Sequence, residues 1–338
     1  LAKQVGTAGL LSYLLSILVV LSMGLSLTRL AYKYPGAGWS YRYPKVWGGH
    51  YVALFTSWSY LLGVMVAMGF LVQQGGLWLH HLFGNLSPTA LGGLCLFILT
   101  LLVLGGAQIS SWGQYLIGAM VISCLLLVTV ICLGHFDPSN WQPFMPSGWK
   151  SVFLAAPKSM FTLIGFECVA SLYSVLKNPK RTLPIACAGS ILTVGGLYLL
   201  FVGAVLGAIP TSSLANNHQS LVDILGESFP QYPFLNGFIL LAGLGAIMGT
   251  IHSMLWSASC LLRDTLHKTP SSFSNNLLKK GLGGLDYCVC ICALFMTISF
   301  LSLESDTILS ITVCFIALSY VLSLISLILD KKIDLTFK

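Results

Sequence analysis

Apolar residues in this chain gather into about nine blocks, each near the ~20 residues a helix needs to cross a hydrocarbon core of roughly 30 Å. The blocks run over residues 9–30, 49–72, 86–106, 114–134, 151–176, 183–209, 234–262, 285–303 and 308–329. Few folds can use such a pattern. Of the 338 residues, 56% are hydrophobic and 8% are charged, against roughly 25% charged in an ordinary soluble domain. A water-soluble fold could not cover its surface with so few charges. The sequence predicts an all-α membrane protein of about nine transmembrane helices. No polar segment is long enough to be a separate domain, so residues 1–338 read as a single transmembrane domain.

The formal net charge of +7 is no sign of nucleic acid, because the basic residues sit in short links and form no continuous face. Their distribution instead carries topology. Arg29, Lys33, Arg42 and Lys45 fall in one link, Lys177, Lys180 and Arg181 in another, and Arg263, Lys268, Lys279 and Lys280 in a third. Lys331, Lys332 and Lys338 close the chain. The intervening links are nearly free of Lys and Arg, Lys150 excepted. The excess of positive residues on the cytoplasmic side of membrane proteins predicts a cytoplasmic C-terminus and places residues 1–7 outside. A further helix upstream is expected to deliver that external start; the alternative is an uncleaved first span that inserts with its short N-terminus outside.

The ten cysteines lie inside apolar blocks, where a free thiol behaves as a small hydrophobe. Cys288, Cys290 and Cys292 are spaced by two, which on a helix turns successive side chains apart. The sequence therefore gives no metal site. No phosphate-binding GxxxxGK[ST] loop and no nucleophile–base constellation is present. An enzyme or an ATP-driven pump is disfavoured, and no cofactor is expected.

Ionisable residues at bilayer depth are costly and mark function. Glu167, well inside the fifth block, is the deepest carboxylate; its bland alternative is a protonated side chain hydrogen-bonded for structure alone. Lys158, nearer the outer surface, can snorkel outward along its stem. His252 in the seventh block is either a satisfied buried histidine or a group that titrates near neutral pH. Gly195, Gly196, Gly203 and Gly207, and likewise Gly243, Gly245 and Gly249, make small faces suited to close helix packing. Gly165 stands apart, directly before Phe166 and Glu167. Unwinding there would turn backbone carbonyls and amides toward a cavity, as in discontinuous membrane helices.

Gly165-Phe166-Glu167, followed by Lys177-Asn178-Pro179-Lys180-Arg181-Thr182-Leu183-Pro184, resembles the sixth-helix signature of the amino acid, polyamine and organocation permeases. Leu30-Ala31-Tyr32-Lys33-Tyr34-Pro35-Gly36-Ala37-Gly38 resembles the loop after that family's second helix. Asn140-Trp141-Gln142-Pro143-Phe144 is similar to the external loop before its sixth. The resemblance implies the inverted-repeat fold shared with the leucine transporter, the nine blocks corresponding to family helices two to ten. The first helix and the last two are then expected to be missing. The sixth-helix stretch is most similar to arginine/agmatine-type antiporters, but Ser174 and Val175 stand where acidic residues are common in the family.

The resemblance implies a secondary transporter of amino acids or polyamine-like amines in a cell membrane, bacterial inner membrane by analogy, working by exchange or proton coupling. The small-molecule substrate, membrane lipid and protons are its implied partners, with an oligomer left open. Expected substrate contacts are backbone carbonyls at Thr162, Ile164 and Gly165, with Phe161 closing the outer side and Glu167 linking the site to its neighbours. Gly249 and His252 are expected on the same cavity. The competing expectation is a truncated, transport-inactive permease remnant with a structural role only.

Overall fold

The computed structural model describes residues 5–35, 38–171, 173, 176–214, 221–269, 284–302 and 305–329. The described residues contain helices and turns but no strand. We number the helices α1 (Gly9–Lys33), α2 (Trp39–Phe83), α3 (Pro88–Leu104), α4 (Ala107–Gly134), α5 (Gly148–Phe161), α6 (Pro179–Ala208), α7 (Leu221–Ser228), α8 (Leu235–Lys268), α9 (Leu285–Ser302) and α10 (Ser305–Leu329). Among the described residues, 6 helices are long and apolar enough to cross a membrane, and Pro88–Leu104 and Cys314–Leu329 are shorter apolar helices. Large side chains such as Tyr115, Leu116 and Ile328 are left more than two-thirds exposed. In water such surfaces would be a liability; in lipid they need no cover. The chain is a multi-pass, all-α membrane protein.

Two helix starts follow from local chemistry. Ser87 caps α3, its hydroxyl accepting from the Ala90 N–H at 3.2 Å, with Pro88 at the first helical position, where a missing N–H costs nothing. α6 begins on Pro179 in the same way, and the Asn178 carbonyl accepts from the Arg181 and Thr182 amides. The basic Pro179–Thr182 turn is therefore helical, although its charge reads as a loop.

The chain divides into two compact units. One comprises residues 1–24, 117–166 and 186–246. In it, hydroxyls on α1 clasp backbone carbonyls of α5: Ser12 donates to Val152 O and Ser16 to Ala156 O, both at 2.9 Å. Ahead of α1, the Thr7 hydroxyl reaches Trp141 O at 3.1 Å and Phe144 O at 3.0 Å. The small-residue reading of α6 holds at Gly195, where a Cβ would come 2.8 Å from Ile17 side-chain atoms, so α1 and α6 approach as closely as glycine permits. In the link before α5, the Ser139 backbone N–H donates to the Asp137 carboxylate at 2.9 Å and holds its pKa below the ordinary value. This turn is supported above the ordinary carboxylate pKa and loses that support as pH falls through the lowered one.

The other unit comprises residues 25–116, 167–185 and 247–338. It is built around α2. Trp47 Nε1 donates to Leu322 O at 3.1 Å, Ser326 to Tyr43 O at 2.7 Å and Ser319 to Thr56 O at 3.2 Å, which fastens α10 along α2. Gln73 donates to Phe300 O at 3.0 Å and Ser299 to Val66 O at 3.3 Å, fastening α9. Residues before 49, too polar and aromatic to read as a span, form the first turns of α2. Gly49, at φ 72, breaks the helix direction between them and the apolar part.

Two adjacent glycines on α3 separate packing from propensity. A Cβ on Gly92 would lie 2.7 Å from Val72 O on α2, whereas a Cβ on Gly93 meets nothing within 4 Å. Gly92→Ala is expected to lower the thermal midpoint in detergent, with a cost of about 1–3 kcal/mol from overpacking. Gly93→Ala should hold or raise it, since alanine is the better helix former by about 1 kcal/mol. Equal midpoints for the two variants would mean that α2 and α3 are not packed this closely.

Candidate functional site

The fifth apolar block is not one helix. α5 ends at Phe161, residues 162–167 run as turns, and a single helical turn resumes at Cys168–Ser171. The i to i−4 bonding gives way to tighter bonds, Thr162 N–H to Ser159 O at 3.2 Å and Leu163 N–H to Met160 O at 2.9 Å. The Thr162 hydroxyl also donates to Ser159 O, at 2.7 Å. Gly165 has φ 117, a region essentially closed to residues with a Cβ. The change of backbone path inside an apolar block is thus tied to that glycine.

The sequence-derived site residues divide between the two units. Phe161, Thr162, Ile164 and Gly165 belong to the first; the Phe161 side chain lies outside the described set, as does that of Lys158. Thr162 is exposed, Ile164 and Gly165 are half-buried. One turn before the interruption, Ser159 is fully buried and its hydroxyl has no hydrogen-bond partner. Nothing in the sequence distinguishes this serine from the others in apolar blocks.

Glu167, Gly249 and His252 belong to the second unit. Glu167 is 1% exposed, and the hydroxyl of Tyr60, on α2, donates to its Oε1 at 2.9 Å. Tyr60 is in turn met edge-on by Trp39 (centroids 4.8 Å, 73° between planes), and Trp39 stacks on Tyr320 of α10 (5.8 Å, 18°). Next to Glu167, the Cys168 thiol points to Met254 Sδ on α8 at 3.5 Å. The carboxylate is thus held at the meeting of α2 and the resumed helix, beside an aromatic cluster reaching α10. A signal for Tyr60 did exist: a tyrosine deep in an apolar block needs a partner for its hydroxyl, and Glu167 is the deepest acceptor.

His252 has different company. Its Nε2 lies 2.7 Å from the Ser110 hydroxyl and its Nδ1 2.9 Å from Gln114 Oε1. A neutral ring with the proton on Nδ1 satisfies both, accepting from Ser110 and donating to Gln114. His252 therefore ties α8 to α4. Gly249 is in unbroken helix, its carbonyl accepting from the Ser253 hydroxyl at 2.9 Å. Within this unit Glu167 accepts from Tyr60 on α2, and His252 bonds Ser110 and Gln114 on α4. No group of three or more His, Cys, Asp or Glu among the described residues could hold a metal ion.

A multi-pass helical bundle in which one apolar helix stops at a strained glycine and restarts beside a buried carboxylate has the architecture of a solute permease. Comparison with known proteins gives the family directly. The chain belongs to the amino acid permease family, whose profile it matches over residues 1–332. It is 24% identical over 231 residues to the methylthioribose transporter of Bacillus subtilis, covering 63% of this chain and 50% of that protein. It is 33% identical over 174 residues to the chloroplastic cationic amino acid transporter 9 of Arabidopsis thaliana (51% of this chain, 29% of the other). With the branched-chain amino acid permease BcaP of Bacillus subtilis it shares 26% identity over 275 residues (75% and 58%). The chain spans about half the length of the curated relatives it matches, or less. Family and relatives are transporters rather than enzymes.

Proposed function

We propose that the protein moves amino acids or related amines across a membrane by alternating access, as an exchanger in which Glu167 carries the coupling proton. The observation that carries this reading is the interruption at residues 162–167: six residues of turn backbone in an apolar block, with Gly165 at φ 117 and Glu167 buried at its end. Backbone groups released from helical bonding need other partners at that depth. The carbonyls of Thr162, Ile164 and Gly165 are suited to a substrate ammonium, and the buried Ser159 hydroxyl one turn away adds a donor. Relatives named for cationic and for branched-chain amino acids support the substrate class. The Lys and Arg asymmetry of the links supports a cytoplasmic C-terminus.

The test is uptake by the purified protein in proteoliposomes, with labelled cationic, branched-chain and acidic amino acids and with agmatine. It is run with and without internal amino acid and across an imposed pH gradient. Saturable uptake of at least one compound, accelerated by internal amino acid, is expected. Failure of every compound to enter above empty vesicles would reject the reading.

A further inference from the structure

Trp39 is the largest fully buried side chain among the described residues, and it buries an indole N–H that has no hydrogen-bond partner. A buried donor in that condition costs stability, so what this position uses is the ring. Two contacts account for it, both within the second unit. Tyr60 meets the indole edge-on, with centroids 4.8 Å apart and planes at 73°, and Tyr320 of α10 stacks on it at 5.8 Å and 18°. Aromatic pairs favour both arrangements. The indole is thus wedged against two tyrosines, one of which carries the hydroxyl that donates to Glu167 Oε1 at 2.9 Å.

The wedge is fixed independently of Tyr60. Trp39 opens α2 directly after Gly38, at φ 79. The next residue, Ser40, shares a hydrogen bond with Ser57 at 3.2 Å, and Ser57 shares another with Thr265 of α8 at 2.7 Å. Thr265 donates onward to Leu261 O at 2.8 Å, which sets one direction for the hydroxyls, Ser40 to Ser57 to Thr265, all of them buried. Ser57 stands one turn before Tyr60. The backbone of Trp39 is therefore tied to the stretch of α2 that carries Tyr60 by groups other than Tyr60 itself. The Tyr60 hydroxyl, in contrast, stands at the far end of its ring, where a small tilt carries it out of bonding range.

We propose that Trp39 is a positioning residue for Glu167, its ring setting the angle at which Tyr60 presents its hydroxyl to the carboxylate. The inference rests on the reading of Glu167 as the coupling residue, and adds the part of the fold that holds its donor in place. The titratable groups that act on Tyr60 are Glu167, Cys168 and Tyr320, with no Asp, Lys, Arg or His among them. Met254, against Cys168 on α8, is uncharged. The position of the Tyr60 ring, rather than a neighbouring charge, therefore decides how well the bond is made.

The test is the infrared carboxyl band of Glu167 in detergent without substrate, assigned as the band absent from Glu167→Gln and followed from acid to alkaline pH. Its frequency reports the Tyr60 bond and its titration reports the proton, and neither depends on uptake. Trp39→Leu, which removes the ring but keeps an apolar side chain, is expected to shift frequency and titration midpoint in the same direction as Tyr60→Phe. Trp39→Phe, which returns an aromatic ring, should restore most of both. In a Tyr60→Phe background Trp39→Leu should change neither. Leu99→Ala, which empties a buried position on α3, should lower the thermal midpoint and leave the band in place, which separates positioning from loss of stability. A wild-type band in Trp39→Leu, full additivity with Tyr60→Phe, or an equal shift in Leu99→Ala would each overturn the proposal. A Glu167 that keeps one charge state at every pH would overturn the coupling reading instead, and the frequency of its band would still decide the role of Trp39.

Discussion

Glu167→Ala is expected to lose most uptake while remaining folded, and Glu167→Gln to keep uptake but lose its dependence on pH. The difference rests on what each replacement leaves for Tyr60. The Tyr60 hydroxyl is buried and donates to Glu167 Oε1; glutamine offers a carbonyl oxygen in nearly the same position, alanine offers nothing. A buried donor left without an acceptor costs about 1–3 kcal/mol. That is a factor of roughly 5 to 150 in a two-state equilibrium, enough to trap an alternating-access cycle on one side but small against the stability of so large a helical bundle. Glutamine cannot release or take up a proton, so a Gln variant that still exchanges should do so at a rate flat across pH. Tyr60→Phe should resemble neither: it removes the donor and leaves the carboxyl, so pH dependence persists with a shifted midpoint. Combining Tyr60→Phe with Glu167→Ala should cost less than the sum of the two, because both remove one bond. Wild-type uptake by Glu167→Ala at every pH would leave Glu167 a structural residue and remove the proposed coupling.

The apolar blocks and Glu167 were legible because each depends on composition along a single stretch of chain. Depth follows from the length of the surrounding apolar run, and Glu167 sits in the middle of one. What could not be read were partners on other helices. The fourth apolar block of the sequence starts at residue 114, yet α4 begins at Ala107 and Gln114 lies well within it. Its polarity is answered by His252, 2.9 Å away but 138 positions along the chain. The same bond accounts for His252, whose two possible roles could not be separated without seeing Ser110 and Gln114. The helix before Gly49 was hidden for the opposite reason. Its tyrosines, lysines and arginine look like a link, and only the packing of Trp39, Tyr41 and Tyr43 into the bundle makes it a buried element with one charged face.

Gly165 gives the second large effect. At φ 117 its backbone stands where a Cβ would run into the carbonyl of the preceding residue, so Gly165→Ala carries a strain of about 1–3 kcal/mol, and Gly165→Val more because of its branch. The chain can relieve that strain only by moving φ back toward negative values. The direct way to do so is to extend α5 through residues 162–167, restoring the helical bonds that the interruption gives up. The variants are therefore expected to be well folded and at least as helical as wild type by circular dichroism, yet to lose substrate binding, measured as the shift in thermal midpoint on adding amino acid. Loss of the carbonyls at Thr162, Ile164 and Gly165 to helical bonding would remove the proposed ammonium contacts all at once, so Gly165→Ala should act more strongly than Thr162→Ala, which leaves the backbone path unchanged. Undiminished binding by Gly165→Val would mean that the turn at 162–167 is a packing feature of the fifth block, and that the amine is held elsewhere.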